Sequence, residues 1–156
     1  MTADFSIEEV DATHAAVIRA TVTPRDIPLA IMPLVDRVWT FLRDSGVSKH
    51  GHNVWIYHDR GNGGVDVEVG VQVATPFERR GEVVSIETPS GRAAHAVHYG
   101  DYAQLPEVHA ALRAWCATAG LSLTGDSWEV YGDFAEAPEA RRTDVYHLIR
   151  SSNDGG

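Results

Sequence analysis

"SWEVYGDF", residues 127–134, poses the question on which the fold turns. Trp128, Val130 and Tyr131 favour a β-strand, and Gly132-Asp133 turns the chain at its end. Glu129 stands in the middle of this apolar, aromatic run. A carboxylate there lies either on a hydrated strand face or in a place where its charge has a use. Residues two apart on a strand share a face, so Glu129 and Tyr131 point the same way.

The same stretch has a counterpart upstream. A shift of 74 positions, the separation of Gly46 from Gly120, lays Ile31 on Leu105, Leu34 on Val108, Val38 on Leu112 and Phe41 on Trp115. It also lays Tyr57 on Tyr131 and Asp59 on Asp133. One register thus matches a helical core stripe, the glycine that stops it and the strand that follows. The spacing predicts a strand over 13–23 with an exit at Pro24-Arg25-Asp26, then a helix to residue 45. Pro33 fits only the first turn of a helix, which places its start near residue 30. Strands follow over 53–59 and 65–73, the second strictly alternating, with a turn at 60–64 between them. The second half repeats the order: a strand over 92–99, a helix over 103–119, and strands over 127–133 and 143–149.

The expected fold is therefore α+β. Two strand–helix–strand–strand modules, 5–75 and 82–150 of a single domain, are related by pseudo-twofold symmetry. They have antiparallel sheet pairing and a ligand cleft between them, with a disordered tail at 151–156. In this register Glu129 falls on Trp55. The two faces then make an aromatic concavity with a carboxylate on one side only.

Composition narrows the function. The 156 residues are 44% hydrophobic and 22% charged, enough for one domain with a core. A formal net charge of -9 without any basic cluster argues against nucleic acid and favours cationic small molecules. Cys116 is the only cysteine and falls in an Ala-rich helical run, which suits a buried structural thiol. No signal peptide and no apolar run of membrane-spanning length is visible, so a cytoplasmic protein is expected.

"HYGDYAQLPEVHAALRAWCATAGL", followed by "SWEVYGDF" and "RTDVYHLI", resembles the GyrI-like domain, also called the AraC-type effector-binding domain. The matching motifs are Gly100-Asp101-Tyr102, the stripe Leu112 to Trp115, Glu129-Val130-Tyr131 and Thr143-Asp144-Val145-Tyr146. The first half fits through "VDVEVGVQV", and the resemblance covers roughly residues 5 to 150. It implies a pocket for lipophilic, often cationic compounds in which a buried glutamate, here Glu129, pairs with the positive charge. It implies that Tyr131 and Tyr146 line that pocket. One similar branch hydrolyses strained, reactive molecules, and the name-giving branch acts on DNA gyrase. No helix-turn-helix precedes the domain in these residues. The resemblance thus implies a stand-alone binder that sequesters or senses drug-like cations. A hydrolase and a protein–protein inhibitor or accessory factor are the alternatives.

Candidate site residues follow with their plainer readings. Glu129 is either a hydrated strand residue or the charge partner of a cation in an aromatic box. In an enzyme, Glu129 would position or activate water and Tyr131 would donate a hydrogen bond. Trp55 and Tyr57 share the matching face, and Trp39 flanks the first helix's stripe where it can lean into a cleft. Glu68 is the second pocket carboxylate or a solvated one. Tyr99 and Tyr102 bracket Gly100, one capping the second helix and either within reach of ligand. Eight histidines raise a metal question. His50-Gly51-His52 is expected in a loop, and His95 and His98 fall on opposite strand faces. Neither pair has ligand spacing, so no metal and no cofactor is expected.

Overall fold

The computed structural model describes residues 3–23, 27–47, 49–59, 61, 63–133 and 135–151. The turn expected at 24–26, two residues of the turn at 60–64, Phe134 and the tail from 152 lie outside them. Along the described residues run β1 (Ala3–Val10), β2 (His14–Val22), α1 (Ile27–Ser45), β3 (Lys49–Asp59), β4 (Val65–Val73) and β5 (Val83–Glu87). Then come β6 (Gly91–Tyr99), a 3-10 turn (Tyr102–Gln104), α2 (Leu105–Thr118), β7 (Leu123–Tyr131) and β8 (Arg142–Ile149). The fold is α+β, as the periodicities require.

These elements form two compact units, one of residues 12–88 and one of residues 1–11 with 89–156. In the first, the strands lie in the order β3-β4-β2-β5. In the second, the order is β7-β8-β6-β1. Neighbouring strands within each unit are antiparallel. Each unit thus contains one strand–helix–strand–strand run with the same strand order, and a fourth strand closes the edge. The edge strands differ from the expected modules. Residues 3–10 pair with β6, and β5 pairs with β2. The register explains β1: Phe5 lies opposite Ala96 and Ile7 opposite Ala94, which brings Phe5 to 5.8 Å from the Trp115 ring of α2.

The first unit's core is the alternation of β4 made physical. Val65, Val67, Val69, Val71 and Val73 are buried and pack with Ile31, Leu34, Val35, Val38 and Leu42 of α1. Asp66, Glu68 and Gly70 take the opposite face. The helix starts at Ile27, earlier than expected, so Pro33 lies inside it. The apolar stripe outweighs the one backbone bond that Pro33 cannot donate, and Pro33 itself is on the exposed side. Pro33→Ala is therefore expected to raise stability by about 1–2 kcal/mol in urea titration. A lowered midpoint would mean that the fixed proline φ outweighs the missing bond. Residues 50–52, expected in a loop, belong to β3.

In the second unit Leu105, Val108, Leu112 and Cys116 of α2 are buried. They cover the sheet face that carries Ala94, Ala96, Val145 and Ile149. Burial pushes the Cys116 thiol up, consistent with an inert core side chain. Both helices stop at the matched glycines, Gly46 at φ 75° and Gly120 at φ 76°, a conformation that costs glycine little.

Candidate functional site

The α2-facing side of the second unit holds the candidate site. Register sets its floor: Glu129 lies opposite Val145 and Tyr131 opposite Thr143, so both side chains point toward α2. On the next strand His147 takes the same face, opposite Ser127. From above, α2 lowers His109, one residue past the buried Val108.

These four side chains form one hydrogen-bonded chain. The Tyr131 hydroxyl donates to Glu129 Oε1 at 2.5 Å. His109 Nε2 meets Glu129 Oε2 at 2.7 Å, and His109 Nδ1 meets His147 Nε2 at 2.8 Å. The two imidazoles meet edge to face, centroids 5.1 Å apart. Glu129 is only 4% exposed, so its charge is taken out of water and balanced by these partners. The carboxylate is buried and paired, not hydrated on an outer face.

His147 is pushed down to about 3, first by burial and then by the nearby positive charges of His109 and Arg113. At neutral pH it is therefore an uncharged imidazole, with one donor and one acceptor nitrogen. Tyr102 of the 3-10 turn stands edge-on to Tyr131 at 5.6 Å, and the Arg141 guanidinium lies 5.5 Å from the Tyr102 ring. Asp101, not a tyrosine, caps this turn, its side chain accepting from the Ala103 N–H.

A family model for the GyrI-like small molecule binding domain matches residues 3–150. The chain belongs to this GyrI-like family. Among solved structures, the EcmrR C-terminal domain superposes with a TM-score of 0.78 at 18% identity, covering 97% of this chain and 99% of that one. Within the EcmrR–DNA complex, at TM-score 0.76 and 16% identity, this chain covers 58% of the longer EcmrR chain and 96% of its own length. SAV2435 bound to tetraphenylphosphonium matches with a TM-score of 0.67 at 9% identity, over 97% of this chain and 96% of that one. A hydrolase from Listeria innocua matches at 0.60 and 12%, over 94% and 91%. At these identities the likeness is one of fold. No curated protein matches the sequence.

The GyrI-like domain distributes the expected site residues over four places. Glu129 and Tyr131 meet as the strand period requires. Tyr146 is on the other face of the same sheet, because it pairs with Trp128 rather than Glu129. There it stacks between Trp128, 5.1 Å away, and His95, 4.5 Å away. Burial, then the Asp144 charge, pushes its phenol up to about 12. Asp144 itself is held at about 2: burial alone would raise it, but hydrogen bonds and charge from His95 and Arg142 prevail. Tyr99 ends β6, 49% exposed, on this same far face.

In the first unit, Trp39, Trp55 and Tyr57 pack on the α1 side, and the Trp39 indole N–H donates to Asn53 Oδ1 at 3.0 Å. Glu68 lies on the opposite face in a polar groove of about 470 Å³ lined by Arg19, His58 and Asp66. The His58 hydrogen bond at 2.7 Å leads in holding the Glu68 carboxyl below its usual range, against burial and with help from Arg19. Among the described residues no group of three His, Cys, Asp or Glu side chains is arranged to hold a metal. No helix among them is long and apolar enough to cross a membrane.

His109 and His147 were not singled out by spacing, since one sits on a helix and the other two strands away. The internal register carried the signal. A shift of 74 positions lays His109 on Val35, Glu129 on Trp55 and His147 on Val73. Val35 and Val73 are buried in the first unit's core. A polar chain in one unit thus occupies positions that the other fills with apolar side chains.

Proposed function

We infer that this chain binds lipophilic cations, with Glu129 as their charge partner, and so sequesters or senses drug-like compounds. The observation that carries the reading is a carboxylate 4% exposed that accepts from Tyr131, whose ring in turn meets Tyr102 edge-on. Desolvation strengthens its attraction for a cation that arrives without tightly held water, and ring faces add about 0.5–2 kcal/mol each. Family membership supports the same reading, as does the tetraphenylphosphonium held by SAV2435. Trp39, Trp55, Tyr57, Glu68, Tyr146 and Tyr99 belong to the proposal as further ligand contacts, each testable by substitution.

The test is a titration with tetraphenylphosphonium and a neutral triphenyl analogue, followed by intrinsic tryptophan fluorescence. Glu129→Gln is expected to weaken the cation about tenfold or more while leaving the neutral compound unchanged. Equal loss for both, or for neither, refutes the charge-partner role.

A second reading is a hydrolase of reactive, drug-like molecules. It is favoured by the imidazole behind Glu129, which gives the carboxylate a proton partner of the kind general bases use. The Listeria innocua hydrolase of the same fold adds to it. In that role Glu129 orients and deprotonates water and Tyr131 donates to the substrate. A product heavier by one water, absent with Glu129→Gln, is the result expected of an enzyme.

A further inference from the structure

Glu129 already carries a partner on each oxygen, and one of them is an imidazole whose far nitrogen meets a second imidazole. With Glu129 ionised and His147 uncharged, the hydrogens along this chain have two consistent arrangements. With the Glu129–His109 pair singly protonated, His109 is an imidazolium donating from Nε2 to Glu129 and from Nδ1 to His147 Nε2, and His147 carries its hydrogen on Nδ1. With that proton gone, His109 still donates from Nε2 to Glu129, and its bare Nδ1 accepts from His147 Nε2–H. His147 must switch tautomer between the two.

We propose that His109 is a built-in counter-cation of the Glu129 site, which a lipophilic cation displaces by exchange for a proton. This rests on the charge-partner reading of Glu129 above and adds what balances the carboxylate in the empty site. The atoms balance: His109 passes its Nδ1 proton to His147 Nε2, and the proton on His147 Nδ1 leaves to solvent. The ligand's charge takes the place of the imidazolium's. Two cations flanking one buried carboxylate repel each other, so ligand and proton bind in competition. His147 suits the relay because it stays uncharged at neutral pH. The fold does not require this chain, because Val35, Trp55 and Val73 hold the matching positions in the other unit.

Among the described residues, few charged or titratable groups lie on this side of α2, and the Cys116 thiol two turns past His109 is one of them. Glu129 and Tyr131 come from β7, and His147 from β8. His98 and, at the far end, Arg92 face it from β6, and Glu9 from β1. Tyr102 precedes the helix, and Arg113 lies one turn beyond His109 on α2 itself. His109 is the base that meets Glu129 at hydrogen-bond distance.

Calorimetric titration of the whole chain with tetraphenylphosphonium, in buffers of unlike ionisation enthalpy between pH 5 and 8, counts the protons released. The expected result is release of up to about one proton per cation, with affinity rising as pH rises, by up to about tenfold per pH unit. Triphenylphosphine oxide, which is neutral, releases none. His109→Gln, which can still donate to Glu129 without carrying charge, binds the cation without proton release. Cation binding with no proton release in the wild type overturns the exchange and leaves Glu129 as charge partner. Undiminished release from His109→Gln assigns the proton elsewhere and also overturns it. If the cation binds at no pH, the charge-partner reading falls and the exchange falls with it.

Discussion

Gly70→Ala is expected to destabilise the protein by about 3 kcal/mol or more. A Cβ on residue 70 would stand 1.7 Å from the Ala16 carbonyl oxygen, 2.7 Å from its carbon and 2.8 Å from Val17 Cα. All three are backbone atoms, so no side chain can rotate out of the way. The strand has no freedom either: Gly70 is paired with Val17 on one side and Val54 on the other. Moving β2 aside would break ladder bonds on both its edges, since β2 also pairs with β5. Alanine's lower unfolded-state entropy returns only about 0.5–1 kcal/mol. Nor is the glycine a demand of the topology, because the matching position in the other unit is Asp144. The local approach of β2 sets the requirement. Urea unfolding followed by tryptophan fluorescence measures it, and a midpoint within about 0.5 kcal/mol of wild type would show that β2 yields without cost.

The elements that buried a whole stripe were legible in the sequence. Val67, Val69 and Val71 announced β4, and Leu105, Val108 and Leu112 announced α2, since period and burial coincide there. The strands that went unseen are β1 and β5, each at one edge of its own unit. Ala3–Val10 carries three charged side chains, Asp4, Glu8 and Glu9, among its eight positions, and Val83–Glu87 has five residues. Each takes its conformation from a neighbour distant in sequence rather than from its own pattern. The site was legible where it is local. Glu129 and Tyr131 share a face because they are two apart on a strand. Tyr146 was placed with them on motif grounds alone, and the β7–β8 register sends it to the other side. His109 and His147 reach Glu129 only through the packing of α2 on the sheet, which a local pattern cannot encode. What could expose them is the contrast between matched core positions, valine in one unit and histidine in the other.

Acid is expected to weaken the protein through two groups, and His147 governs the larger share. Its folded-state value of about 3 lies below the ordinary 6.5, so the unfolded chain takes up a proton that the folded chain refuses. The neutral imidazole therefore contributes its full stability above pH 6.5 and loses it progressively as pH falls toward 3. The loss is on the order of 4 kcal/mol at the lower end, because His147 is almost wholly buried and solvent does little to screen it. Asp144 acts lower down. Held at about 2 against an ordinary 3.8, it keeps its contribution above 3.8 and loses about 2 kcal/mol as pH drops to 2. His147→Val, which installs the side chain found at the matching position of the other unit, separates the two. It removes one hydrogen bond of His109, costing about 1 kcal/mol at neutral pH, and flattens the slope between pH 6.5 and 4 while leaving the Asp144 window intact. Stability read from urea midpoints at several pH values decides the matter. A wild type that loses nothing between pH 6.5 and 4 would mean that His147 takes up its proton as readily in the folded chain as in the unfolded one. Below about pH 6.5 it could then no longer accept from His109, and the proton exchange at Glu129 would lose its exit there.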